Sequence, residues 1–457
     1  MAPPELRGTP DHRRSACDDF ADLIEPFSRR GVDLGLERLQ AALAELGHPE
    51  QRFAAVQVAG TNGKGSIATL VHQGLLAAGL RVGLYTSPHL VSWCERVRLG
   101  ADLIAPAVLR RHLEAATPVA RSHQLTPFEL VTAAAFLAFA EAELELAVLE
   151  VGLGGRLDAT TCHPDRGVIG LASVGLDHCE FLGPDLSSIA AEKAGVLLRG
   201  SVAISAPQVP AVAAVFEQRA LAVGAELRWV DPLPQAADGS LLLNGGGAHG
   251  PGEWGACGLG GAVQGLNGAV AQGVLQALAE RGWPIKPAAI RAGFAAARWP
   301  GRLQPLNWRG VPLLLDGAHN LPAAQALRRE LDGDPQRYGL ASGRRHWVIG
   351  ILANKQGPAI LEALLGPTDC AWIVPVAAHI SWSHGELVKA LPQLASQLLE
   401  AADWQHAVQA ASAPPEPSSS AGGDGATAHP SATVVIAGSL YLIGQLLSAQ
   451  DQPSIAP

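Results

Sequence analysis

The stretch Val58-Ala59-Gly60-Thr61-Asn62-Gly63-Lys64-Gly65-Ser66 limits the fold more than any other. Phe53 to Val58 before it reads as a short apolar strand. Ile67 to Ala77 after it has helical spacing, with Ile67, Leu70, Val71 and Leu75 on one face. A strand that turns through glycines into a helix opened by lysine and serine makes a phosphate cradle. The glycines let backbone N–H groups close around phosphate oxygens, the helix N-terminus adds partial positive charge, and Lys64 supplies a full one. Ser66 is the hydroxyl expected to meet the metal that accompanies the phosphates. Gly65 separates lysine from serine, a departure from the generic G-x-x-x-x-G-K-[ST] spacing. A plain Gly/Asn turn explains the glycines but not Lys64 and Ser66 together. A nucleotide site is therefore expected at Gly60, Thr61, Asn62, Gly63, Lys64, Gly65 and Ser66.

The same grammar repeats along the chain. Arg81 to Tyr85, Leu146 to Val151, Gly167 to Ser173 and Val202 to Ala206 are nearly continuous apolar runs. Helical patterns interleave with them, as at Leu34 to Leu46, Thr126 to Ala142 and Pro210 to Val223. Strands of this kind predict a mostly parallel sheet covered on both faces. Residues 230–265 are glycine- and turn-rich and suit short antiparallel strands and loops, and an alanine-rich helix through Leu278 follows. Trp299-Pro300-Gly301-Arg302 breaks the pattern, which then restarts with strands at Val311 to Leu315, His346 to Ile351, Ala371 to Val376 and Thr433 to Ala437. The expected fold is α/β with two domains: an N-terminal, mostly parallel P-loop sheet flanked by helices over 1–298, and a smaller Rossmann-like α/β domain over 299–457. Residues 1–19 are expected to be a loose arm. Residues 411–432 have almost no large apolar side chain and are expected to be a disordered insertion.

Composition narrows the function classes. The net charge of −9, from 42 acidic against 33 basic residues and without a long Lys/Arg run, disfavours nucleic acid and anionic membrane as partners. Six scattered cysteines with no C-x-x-C pair fit neither a disulfide framework nor a zinc site. No apolar stretch of spanning length appears, and the N-terminus lacks the apolar core of a signal peptide, so a cytoplasmic protein is expected.

Several strand ends carry chemistry. Glu150 ends an apolar strand and is followed by Gly152, Gly154, Gly155, Arg156 and Asp158, a setting that suits Mg²⁺, since a hard cation takes carboxylate oxygen. The bland alternative is a solvated strand end. Ser87-Pro88-His89 after the second strand is either a turn or a ligand-facing segment. His178 follows another strand and is placed to meet Glu150 and Ser87 at one sheet edge, although a lone histidine is more often structural. Thr126 and Glu129 make a capping box, which accounts for both without a ligand. Lys193 near a helix C-terminus reads as satisfying the last carbonyls. Asp316-Gly317-Ala318-His319-Asn320 is either a turn and helix cap or a second set of site groups, with Arg302 at the hinge. No nucleophile elbow or reactive-cysteine context is present. Nucleotide, metal and a cleft between two α/β units suit phosphoryl transfer to an acceptor, and a carboxylate acceptor would give an acyl phosphate open to an amine. The acceptor itself is not legible at this level.

The ordered motifs G-T-N-G-K-G-S (Gly60 to Ser66), T-S-P-H-L (Thr86 to Leu90), E-V-G-L-G-G-R-L-D-A-T (Glu150 to Thr160), L-D-H (Leu176 to His178), E-K-A-G (Glu192 to Gly195), P-G-R (Pro300 to Arg302), D-G-A-H-N (Asp316 to Asn320) and G-S-L-Y (Gly438 to Tyr441) resemble the folylpolyglutamate synthase/dihydrofolate synthase family, relatives of the Mur ligases. The resemblance runs from about Leu34 to Gly444. It implies a bifunctional ATP-dependent ligase that phosphorylates the carboxylate of dihydropteroate and the γ-carboxylate of folates, tetrahydrofolates among them, and joins each to the amine of L-glutamate. It implies Lys64, His178, Lys193, Asp316 and His319 as catalytic groups, and Asn267, Arg302 and Asp316 as further nucleotide contacts. Ser66, Ser87, Glu150, His178 and Lys193 become metal positions, with Lys193 carbamylated to hold a second Mg²⁺. Phe128, Glu129, Arg156, Asp158 and Ser439 fall to the substrate. A monomer acting on small molecules alone is expected. Thr161, Val263, Leu321, Asn354 and Gln356 depart from the family's usual residues, which weakens detailed substrate contacts in the second domain. The remaining alternatives are folylpolyglutamate synthesis alone, a Mur-type amino-acid ligase, and an ATP-binding regulator that ligates nothing.

Overall fold

The computed structural model describes residues 20–243, 252–340, 344–412 and 433–450. The expected arm at 1–19 and the expected insertion from 413 onward lie outside the described residues, while Ala411 and Ser412 belong to a helix, Trp404–Ser412.

The first domain is built on eight strands: β1 (Ala54–Ala59), β2 (Val82–Tyr85), β3 (Val97–Leu99), β4 (Asp102–Leu103), β5 (Leu146–Glu150), β6 (Val168–Leu171), β7 (Val202–Ser205) and β8 (Glu226–Trp229). Their order is β4-β3-β2-β5-β1-β6-β7-β8. From β2 across to β8 every pair is parallel, and only the β2–β3 and β3–β4 pairs at one edge are antiparallel. The expected parallel sheet is thus present, with an antiparallel edge and β8 as additions. Its central strands are apolar on both faces because helices cover both. Lys64–Ala77, Val263–Glu280 and Pro287–Ala296 pack on one side, and Glu37–Glu45, Pro106–Ser122 and Pro127–Glu141 on the other. A small antiparallel hairpin, β9 (Leu241–Leu243) with β10 (Glu253–Gly255), follows in the glycine-rich stretch.

Residues Arg298 to Arg302 lead to a second sheet of six strands: β11 (Gln304–Trp308), β12 (Val311–Leu315), β13 (His346–Ile349), β14 (Cys370–Ile373), β15 (Leu398–Glu400) and β16 (Val434–Ala437), ordered β11-β12-β16-β13-β14-β15. All pairs are parallel except the β11–β12 hairpin. Apolar clusters fill both of its faces. Each sheet therefore gathers the residues that follow its parallel strands at one carboxyl edge, where open α/β sheets place their ligands.

Candidate active site

The two carboxyl edges face one cavity of about 2090 Å³. The first domain contributes Gly60 to Ser66 after β1, Ser87 after β2, Glu150 at the end of β5, and Asp177 and His178 beyond β6. The second contributes His319 beyond β12, Lys355 beyond β13, and Ser439 beyond β16, with Arg302 between the domains.

The phosphate loop has the form the sequence predicts. Gly63, in the left-handed region at φ 91°, is the N-cap, and the helix begins at Lys64. A side chain at Gly63 would strike Asn267 Oδ1, and one at Gly65 would strike the indole of Trp299 at 2.7 Å. The unusual glycine between Lys64 and Ser66 is thus explained by an aromatic ring from the segment that joins the domains. Lys64 Nζ donates to Thr61 O at 3.2 Å.

Ser87 and Glu150 meet, Ser87 N donating to Glu150 Oε2 at 3.2 Å. Glu150 is buried, forms no ion pair among the described residues, and is pushed up to about 7 by burial, against the pull of Lys64, the Ser87 amide and Arg302. A buried, cavity-lining carboxylate with so little compensation fits a cation. Among the described residues no three His, Cys, Asp or Glu side chains cluster as a metal set. Of the expected metal positions, Ser66, Ser87, Glu150 and His178 all line the cavity, and Ser87 meets Glu150 directly. His178, with φ 52°, is depressed by burial.

Lys193 corrects one expectation. Its helix, Leu186–Ala194, ends beside the phosphate loop, and Nζ donates to Gly60 O at 2.9 Å rather than to its own helix's carbonyls. Burial first, then Lys64, lowers it to about 7.

Other assigned residues take varied positions. Phe128, Glu129, Asp158 and Ser439 line the cavity. Glu129 also closes the capping box with Thr126 (2.7 and 3.3 Å) and pairs with Arg38 at 3.3 Å. Asp158 receives the amides of Gly152, Leu153 and Thr160, and so shapes the glycine turn after Glu150. The structure does not bring Arg156 to the cavity: it is exposed and forks onto Glu192 Oε1 at 2.8 and 3.1 Å. Asp316 and Asn267 also stand behind the wall rather than on it. Asp316 accepts from Leu303 N and Ala318 N, both at 3.0 Å, tying down the segment that carries Arg302; burial raises its carboxyl. Asn267 receives no cavity surface but abuts Gly63. His319 Nδ1 lies 2.8 Å from Gly317 O, and burial lowers the ring to about 4, leaving it neutral.

Sequence reasoning passed over three cavity residues. Asp177 and Lys355 form an ion pair between the domains (2.5 Å). Arg96 lies 4.4 Å over the Trp93 ring and donates to His89 Nδ1 at 2.9 Å. The capping box at Ser92 and Glu95 was the available local signal for Arg96, since it fixes the turn that presents this arginine. Leu90, in the Ser87 loop, packs into an apolar cluster of the second domain that includes Leu442 and Ile443.

Taken together, the fold and site define an ATP-dependent ligase: a phosphate loop and an acidic strand end on one domain, faced by a second domain across a cavity of substrate size. Residues 301–449 match the family model for the dihydrofolate synthetase C-terminal domain. The Escherichia coli (strain K12) dihydrofolate synthase/folylpolyglutamate synthase is 34% identical over 363 residues, covering 79% of this chain and 82% of that one. Escherichia coli FolC in complex with DHPP and ADP superposes with a TM-score of 0.78 at 30% identity, covering 94% and 97% of the two chains. A bifunctional folylpolyglutamate synthase/dihydrofolate synthase with Mn, AMPPNP and L-glutamate bound gives a TM-score of 0.75 at 29% identity, over 93% and 97%. The chain belongs to the dihydrofolate synthase/folylpolyglutamate synthase family, as its motifs lead one to expect. No helix among the described residues is long and apolar enough to cross a membrane.

Proposed function

We propose that this protein is a bifunctional dihydrofolate synthase/folylpolyglutamate synthase, joining L-glutamate to dihydropteroate and to the γ-carboxylate of tetrahydrofolates at the expense of ATP. The observation that carries the reading is the meeting of both sheets' carboxyl edges at one cavity, with the phosphate loop on one wall and His319, Lys355 and Ser439 on the other.

The acceptor's carboxylate oxygen attacks the γ-phosphorus, the bond to ADP breaks, and an acyl phosphate forms. The glutamate nitrogen then attacks the acyl carbon, inorganic phosphate leaves, and the nitrogen loses a proton. Positioning and charge neutralisation supply most of such catalysis. Lys64 and the Gly60 to Ser66 amides hold the ATP phosphates, with Arg302 reaching from the hinge. Ser66, Ser87, Glu150 and His178 would hold Mg²⁺, which neutralises phosphate charge when bound. Lys193, lowered to about 7 and so partly unprotonated near neutral pH, would add through its free amine to carbon dioxide, releasing a proton and leaving a carbamate able to hold a second Mg²⁺. Asn267 and Asp316 serve from behind, on Gly63 and on the Arg302 segment. Phe128, Glu129, Asp158 and Ser439 form the acceptor wall, and neutral His319 faces the cleft from the second domain. We place the domain boundary at 298/299 and the working unit as a monomer that takes small molecules only.

Purified protein given MgATP, L-glutamate and either dihydropteroate or a tetrahydrofolate is expected to release ADP with both acceptors. Release with tetrahydrofolate alone would reduce the assignment to folylpolyglutamate synthesis. No release with either acceptor would favour a nucleotide-binding regulator. Rescue of a strain lacking dihydrofolate synthase tests the first activity in cells.

A further inference from the structure

Between the domains, one carboxylate gathers several partners. Asp177 Oδ1 pairs with Lys355 Nζ at 2.5 Å, and Asp177 Oδ2 accepts from Asn320 Nδ2 at 2.9 Å. His178 Nε2 and His319 Nε2 each lie 3.9 Å from the same Oδ2. Asn320 in turn exchanges both amide hydrogen bonds with Asn62 of the phosphate loop, at 3.0 and 3.1 Å. Its own side-chain oxygen also caps the helix Leu321–Gly333 through Ala323 N, so it is held on a rigid element. Both members of the ion pair are largely covered, Asp177 at 9% and Lys355 at 11% side-chain exposure. Lys355 stands between uncharged Asn354 and Gln356, and among the described residues its one ion pair is with Asp177.

We propose that Asp177 and Lys355 are positioning residues: a catch that sets the register of the second domain on the phosphate loop, acting with the Asn62–Asn320 amide pair. A covered charge that loses its partner costs far more than an exposed one, so removing either member lifts the second domain away. On the reading above, the ATP phosphates are held chiefly by the Gly60 to Ser66 loop of the first domain, and Arg302 reaches them from the hinge rather than from the body of the second domain. The carboxyl and amine substrates meet between the domains. Loss of the catch therefore falls on turnover and on glutamate, and spares the nucleotide.

The turnover arm of the test rests on the ligase reading above, and the scattering arm does not. The full chain is prepared as wild type, Asp177→Asn, Lys355→Met, the double variant, and Lys355→Arg. Each single neutralisation is expected to lower kcat/KM for glutamate roughly 10- to 100-fold, the scale of a misplacement of about 1 Å. The double variant is expected to be no worse than the poorer single within about twofold, because both remove one interaction. Lys355→Arg keeps the charge and is expected to restore most of the rate. The ADP dissociation constant is expected to stay within about twofold throughout, the limit for independent sites. Small-angle scattering of the ADP-bound chain is expected to show a larger radius of gyration in the neutralised variants only. Additive losses in the double variant, wild-type turnover in Lys355→Met, or an ADP affinity loss that accounts for the rate loss would each overturn the catch. If wild type itself releases no ADP, the ligase reading fails, and an unchanged radius in Asp177→Asn and Lys355→Met then overturns the catch separately.

Discussion

Lys193 Nζ donates to the carbonyl of Gly60 at 2.9 Å, which joins the end of one helix to the first residue of the phosphate loop. A protonated amine is held poorly there, and burial lowers it to about 7 from its usual 10.5. Between those values the unfolded chain binds the proton that the folded chain has released. Stability contributed by this group therefore rises with pH from about 7 to 10.5. With carbon dioxide excluded, the stability of wild type is expected to climb across that window in urea titrations, and that of Lys193→Met to stay flatter. Adding bicarbonate is expected to raise turnover of wild type and leave the variant unchanged. Parallel stability profiles for the two proteins would remove Lys193 from this role.

Glu150 carries the opposite shift. Burial raises it to about 7, so in the free protein it is a neutral acid below that pH, and its contribution to stability is lost as pH rises from 4.5 through 7. A cation needs the ionised form. Affinity for Mg²⁺-nucleotide is expected to fall by up to about tenfold per unit as pH drops below 7. Calorimetry checks this, with Glu150→Gln expected to bind the metal complex weakly and without that slope.

Trp299 leaves no room for a side chain at Gly65. Gly65→Ala is expected to cost about 1–3 kcal/mol of stability, the usual range for overpacking, and to weaken ATP binding. Smaller Trp299→Leu in the same chain is expected to recover part of both. Denaturant melts and nucleotide titrations measure them, and an unaffected Gly65→Ala would show that the ring yields freely.

Arg156 faces Glu192 and water. An exposed pair of this kind contributes about 0–1 kcal/mol. Arg156→Ala is expected to keep KM for each substrate within about twofold, the ordinary spread for a surface change. A tenfold rise in KM for the pterin acceptor would put the arginine back at the substrate.

Much of the first sheet was legible because its strands are continuous apolar runs with glycine-bearing ends. The Gly60 to Ser66 cradle, the Thr126–Glu129 capping box and the strand-end position of Glu150 all follow from local rules. The antiparallel strands Val97–Leu99 and Gln304–Trp308 escaped notice: each is short, and neither has the long apolar signal of a doubly covered strand. Lys193 was misread since helix-end lysines normally face their own carbonyls, and nothing local reveals that Gly60 lies opposite. Asp177 and Lys355 are separated by 178 residues, so their pairing is a property of the assembled domains and of no sequence window.

Leu90 belongs by sequence to the lobe that carries Ser87 and Glu150, yet its side chain is rooted in the opposite lobe beside Leu442 and Ile443. That makes the Ser87 strap a tether between two bodies. A small molecule that wedged the bodies apart near Ile443 would pull on Ser87 from three residues away, without touching the phosphate loop itself.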